Sequence, residues 1–136
     1  MSANWDDPEL ILEFIEEATE RLDTADASLL QLEKRPQDTD ASSGAMGALH
    51  SLKGAAGFVG LTHLQEVVHA TETLLSGARD QQGAEQAVDL AFDAITAMRD
   101  HLEELGRCCR EDCALDRSTI LQEYQDRLAE AGVSAT

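Results

Sequence analysis

Between residues 7 and 32 this chain sets its apolar side chains at the spacing of a single helical face: Ile11, Phe14, Ile15, Ala18, Leu22, Ala25, Leu29 and Leu32. Steps of three and four residues return to one side of a helix, whereas a strand would alternate sides at every residue. Carboxylates take the opposite side, at Glu9, Glu13, Glu16, Glu17, Glu20, Asp23 and Asp26. A helix so one-sided must bury its apolar stripe against other elements. Its start is marked by Asp6 and Asp7 ahead of Pro8, a capping side chain followed by proline in the first turn. Arg35-Pro36 closes it, and the polar, serine-containing stretch 37–44 reads as a loop.

Three more stripes follow. Residues 41–59 carry Met46, Leu49, Leu52, Ala56 and Val59, and Gly60 offers the left-handed stop. A third stripe, with Thr62 as its cap, uses Leu64, Val67, Val68, Thr71, Leu74 and Leu75 and fades at Ser76-Gly77. After a short polar loop at 80–83, a fourth uses Ala87, Val88, Ala91, Ala94, Ile95, Met98, Leu102 and Leu105 and ends at Gly106. The sequence is then irregular to Asp116, and a shorter amphipathic segment offers Leu121, Tyr124 and Leu128.

At 136 residues the chain suits one domain, a size at which about two-thirds of the unfolded chain's surface can be buried. Only 4% of residues are aromatic and 2 are proline, so the core is aliphatic and the elements long, which argues against a β-sandwich. The expected fold is all-α: an antiparallel four-helix bundle over about 7–105 with an additional C-terminal fifth helix over about 117–131. Together these form one domain over 1–131, with 132–136 as a flexible tail or the start of a linker.

Charge excludes whole classes of partner. There are 27 acidic against 10 basic residues, a formal net charge of -17, and Lys34 and Lys53 are the sole lysines. Phosphate backbones need clustered Lys and Arg, and anionic lipid heads repel an acidic surface. No apolar run approaches the roughly 20 residues that span a bilayer, and MSANWDDPEL lacks the basic-then-apolar pattern of a signal peptide. The expectation is a cytoplasmic, monomeric domain without direct contact to nucleic acid or membrane.

The informative stretch is Leu49 to Gly60, LHSLKGAAGFVG. On a helix, His50, Lys53, Gly54 and Gly57 share one face, beside the core stripe of Leu49, Leu52 and Ala56. Two glycines inside a helix cost about 1 kcal/mol each relative to alanine. Bare backbone beside a histidine and a lysine gives another protein close access to the imidazole, with an ammonium to neutralise an oxyanion. The third helix brings His69 and Glu72, also three residues apart. If the two helices pack antiparallel through Gly60, His50, His69 and Glu72 come to one height. A carboxylate that accepts a hydrogen bond from one imidazole nitrogen fixes the tautomer and makes the other a better nucleophile.

LHSLKGAAGFVG resembles the motif of histidine phosphotransfer (HPt) domains, a histidine followed three residues on by lysine and then glycine. The continuation LTHLQEVVHATETLL is similar to the first domain of CheA-type chemotaxis histidine kinases, and the resemblance covers nearly the whole chain. It implies that His50 is phosphorylated by a separate ATP-binding catalytic domain and passes the group to an aspartate of a CheY/CheB-like receiver. It further implies that Glu72 orients His50, that His69 joins the hydrogen-bond network, and that Lys53 offsets phosphoryl charge. Gly54 and Gly57 would leave room for the docking receiver, with Phe58 at the edge of that surface. No cofactor belongs to the chain itself, since ATP and Mg²⁺ come through partner domains. No glycine-rich phosphate loop is present, so the domain is read as a carrier on which enzymes act.

Plainer readings stand beside these. His69 and Glu72 also suit an ordinary helix-surface pair, and His63 and His101, without such companions, read as surface or boundary residues. Cys108, Cys109 and Cys113 lie in one short segment and read as reduced, partly buried thiols, with a zinc site using His101 as the minor alternative. The acidic face of the first helix reads as solvated. Two other functions remain beside the chemotaxis carrier: a free-standing HPt relay protein, and an acidic helical module that binds without chemistry.

Overall fold

The computed structural model describes residues 7–77, 81–111 and 126, and the account is confined to them. Four helices make up the described fold: α1 (Pro8–Lys34), α2 (Thr39–Phe58), α3 (Thr62–Ser76) and α4 (Gln81–Glu111). Each packs against two neighbours, in the ring α1–α2–α3–α4, with no packing across either diagonal. The result is the all-α bundle read from the stripes. The expected fifth helix lies outside the described residues apart from Asp126, which is helical and exposed. The tail at 132–136 lies outside them entirely.

The ends of the helices follow local chemistry. Asp7 caps α1, its side chain accepting from the Leu10 amide at 3.1 Å, with Pro8 at the first position. Asp38 does the same for α2 through the Ala41 amide at 3.0 Å. That cap starts α2 at Thr39, so most of the expected loop at 37–44 is helical. Gly60 has φ 80 and stops α2, a conformation that glycine adopts without a Cβ clash. Thr62 is not the cap of α3; the position falls to Leu61, which has no side-chain hydrogen bond to give.

α4 starts at Gln81, inside the expected loop, and runs past the expected stop at Gly106 to Glu111. Gly106 is buried against α1, and a Cβ there would stand 3.6 Å from Ile15 Cδ1. It is thus a packing residue within a helix rather than a terminator.

The core is aliphatic: Ile11, Leu22, Leu29, Leu49, Leu52, Leu64, Ile95, Met98 and Leu105 are all fully buried. Each such side chain contributes about 1.5–3 kcal/mol relative to its exposed state. Met46, expected in the core, is half-buried, because Ala45, Ala48 and Leu49 hold the inner face of α2. Leu74 and Leu75 are likewise half-buried, while Ala70 and Thr71 turn inward.

Two side-chain expectations on α4 are corrected. His101 is buried at 4% exposure rather than at the surface or its boundary, and its Nδ1 has no hydrogen-bond partner. Burial, reinforced by His63, lowers its pKa to about 4. Cys108 is disulfide-bonded rather than a reduced thiol, whereas Cys109 is free and partly buried. Burial raises the Cys109 pKa against the opposing pull of Arg110. Cys113 lies outside the described residues. Among the described residues no group of three His, Cys, Asp or Glu side chains is placed to hold a metal ion.

Candidate functional site

The site is built by the register of α2 against α3. His50 and Glu72 are equally far along the chain from Leu61, and so are Gly57 and Gln65. Two antiparallel helices joined by so tight a turn bring such pairs level. The His50 imidazole and the Glu72 carboxylate therefore meet across the interface, Nδ1 to Oε2 at 3.5 Å. That distance is long for a hydrogen bond but short enough for the carboxylate to orient the ring. Glu72 is nearly buried, with 10% of its side chain accessible, and His50 is 74% accessible. With Nδ1 turned to the carboxylate, Nε2 is left on the solvent side. Placing the ring proton on Nδ1 follows from that neighbour.

Lys53, one turn after His50, turns to the same carboxylate, Nζ to Oε1 at 2.9 Å. The contact is an ion pair rather than a directed bond, since Oε1 has no aligned donor. A carboxylate that is largely out of water needs such a partner. The lysine read from the sequence as a phosphoryl counter-charge is thus engaged by Glu72 in this state. His69 stands level with Lys53, yet its imidazole makes no hydrogen bond or ion pair with His50 or Glu72. Its carbonyl accepts from Thr73 Oγ1 at 3.1 Å.

The two glycines prove unlike. Gly54 is exposed, and a Cβ there would meet nothing within 4 Å. Gly57 is half-buried under the Gln65 amide, which a Cβ would overlap. Gln65 Nε2 in turn donates to the Lys53 carbonyl at 3.5 Å. Gly57 thus leaves room for the Gln65 amide, and Gly54 alone of the pair leaves open space. Phe58 is 80% exposed at the end of the same helix.

Sequence reasoning passed over three contacts here. Gln65 on Gly57 could have been found from the register that pairs His50 with Glu72. The Lys53–Glu72 pair needed both helices in place. Arg21 Nε donates to Ser51 Oγ at 3.2 Å, bringing a cation from α1 beside the residue that follows His50. Its signal was a basic residue interrupting an acidic face.

Comparison with known proteins identifies the family and the fold. CheA of Bacillus subtilis is 35% identical over 94 residues, 68% of this chain and 13% of that protein. The gliding motility regulatory protein of Myxococcus xanthus is 33% identical over 98 residues, 71% of this chain and 12% of its own. The chain therefore spans only a small fraction of the curated relatives it matches. Among solved structures, the phosphorylated P1 domain of CheA3 from R. sphaeroides, in complex with CheY6, shares the fold. Its TM-score is 0.67 at 21% identity, over 90% of this chain and 98% of that one. The Hpt domain family model matches residues 9–108, which include every side chain of this site, and the chain belongs to the Hpt domain family.

Proposed function

We propose that this domain is a phosphoryl carrier of a CheA-type chemotaxis relay, with His50 as the acceptor. The observation that carries the reading is the single contrast between His50, open to solvent, and Glu72, buried against its Nδ1. In the first half-reaction Nε2 attacks phosphorus in line. An N–P bond forms as the bond to the leaving group breaks, and the leaving group keeps the electron pair. The ring retains its Nδ1 proton and gains positive charge, which Glu72 offsets. In the second half-reaction a carboxylate oxygen of the receiver aspartate attacks phosphorus. The N–P bond breaks, the pair returns to the imidazole, and an acyl phosphate leaves with the receiver.

ATP and Mg²⁺ belong to the partner domains in this reading. Phosphoryl transfer depends mainly on positioning and charge, and the chain's part is to present one oriented imidazole. Lys53 swings from Glu72 toward the phosphoryl group as charge develops, and His69 joins the network only in the loaded state. Gly54 and Phe58 face the incoming receiver, and Gly57 seats the Gln65 amide beside that face. The names of the relatives, CheA and a gliding motility regulator, favour motility as the output. The domain works as a monomer in the cytoplasm; among the described residues no helix is long and apolar enough to cross a membrane.

Phosphorus NMR after treatment with phosphoramidate tests the core of this reading without requiring the kinase. An acid-labile phosphohistidine signal is expected from the wild type and not from His50→Gln. Silence from a folded wild type would sink the proposal and leave the acidic binding module.

A further inference from the structure

The surroundings of His50 differ on its two sides. Counting about 100° per residue around α2, Lys53 and Gly57 lie toward α3, where Glu72 and Gln65 already occupy the space. Gly47, Ser51, Gly54 and Phe58 all lie about 40–100° the other way, toward α1. All four are exposed, and a Cβ at Gly47 or Gly54 would meet nothing within 4 Å. Arg21 borders this face from α1 and is fixed there by its bond to Ser51.

Charge makes Arg21 the unusual member. It interrupts the run Glu16, Glu17, Glu20, Asp23 and Asp26 in a chain of net charge -17. Its one hydrogen bond is to a hydroxyl, and among the described residues no carboxylate pairs with it. Lys53, the other cation near His50, is held by Glu72 at 2.9 Å. A phosphoryl acceptor whose nucleophile is an aspartate presents negative charge to this face, and two acidic surfaces repel.

We propose that Arg21 is a specificity-determining residue of the docking face, pairing with a carboxylate of the receiver so that the acceptor aspartate is guided onto His50 from the α1 side. This deepens the relay reading and rests on it. Arg21 acts on association and alignment, while the transferred group stays with His50 and the acceptor aspartate.

The test uses the whole chain, charged to equal extents with phosphoramidate and mixed with each purified receiver encoded in the same genome. The receiver that takes phosphate fastest is then used throughout. Arg21→Glu is expected to raise KM for that receiver about tenfold at low salt with kcat little changed. The deficit should shrink to about twofold in 0.5 M salt, where charges are screened within a few ångströms. Arg21→Lys should recover most of the loss. Arg35→Glu makes the same charge change about 21 Å away, just past the end of α1, and should leave KM near the wild-type value. Equal KM for Arg21→Glu and wild type overturns the proposal while the relay stands. A loss confined to kcat also overturns it, placing Arg21 on the phosphoryl group instead. If charged wild type passes phosphate to none of the receivers, the relay reading falls and this inference with it.

Discussion

Glu72 lies between two cationic or protonatable groups of α2, with Oε2 3.5 Å from His50 Nδ1 and Oε1 2.9 Å from Lys53 Nζ. One carboxylate thus faces the exposed imidazole and is itself kept tolerable in a nearly dry place by the lysine. Replacing Glu72 with Gln keeps the shape and removes the charge. The phosphorylation rate of His50 by phosphoramidate should fall about 10–100-fold, the range that follows loss of the carboxylate behind a metal-binding histidine. A rate within twofold of wild type would show that the carboxylate does not set the ring's reactivity.

The same pair predicts a stability cycle. Lys53→Met leaves the Glu72 carboxylate largely buried with no counter-charge and should cost about 1–3 kcal/mol. Adding Glu72→Gln to Lys53→Met should return part of that loss. Urea denaturation of the two single variants and the double variant reads the coupling, and strictly additive losses would contradict an ion pair.

The glycines separate by the space around them. Gly54→Ala adds a Cβ where nothing stands within 4 Å, so it should stabilise the fold by about 1 kcal/mol through helix propensity. Gly57→Ala carries the same propensity gain but must displace the Gln65 amide. Its net effect should be smaller, and Gln65→Ala in the same chain should release the difference. Thermal unfolding of the three variants is sufficient to check the order.

His101 makes stability depend on pH. Its pKa is about 4 in the fold against an ordinary 6.5, lowered first by burial and then by His63. The unfolded chain therefore takes up a proton below pH 6.5 that the folded chain refuses until about pH 4. Stability is full above pH 6.5 and falls as the pH drops toward 4, by about 3 kcal/mol for this group. His101→Leu should flatten that part of the profile, measured as urea midpoints between pH 7 and 5. An unchanged slope would assign the acid sensitivity to other groups.

On the opposite flank, Arg99 ties α4 to α1 through Asp23 Oδ1 at 2.8 Å and Asp26 Oδ2 at 2.7 Å. Burial works to lower the guanidinium pKa, but its bonds to Asp26 and Asp23 outweigh that and raise it. Asp23 is 65% accessible and Asp26 34%. Asp26→Asn should therefore cost more than Asp23→Asn, with neither above about 1 kcal/mol in view of solvent screening. The difference should shrink in 1 M salt.

The amphipathic stripes made the bundle legible, because helical periodicity is a local property that tertiary packing only had to fulfil. Caps were read less well. Asp7 with Pro8 was plain, but Asp38 was absorbed into an apparent loop. Gly106 looked like a terminator because glycine is common just past a helix end, whereas here the helix runs on through it to Glu111. His101 read as a surface or boundary residue because its neighbour His63, on the preceding helix, is remote in sequence.

What the sequence determined by itself was the all-helical architecture, the acidic surface, and the grouping of His50, Lys53 and Gly54 on one helical turn and its neighbour. Spacing along a helix fixes direction, so these needed no knowledge of the other helices. Only the tertiary structure decided that Glu72 reaches both His50 and Lys53 while His69 reaches neither. It alone divided the glycines into a packed Gly57 and an open Gly54, and brought Arg21 to Ser51. These outcomes depend on the register and rotation of one helix against another, which side-chain volume across the whole interface sets.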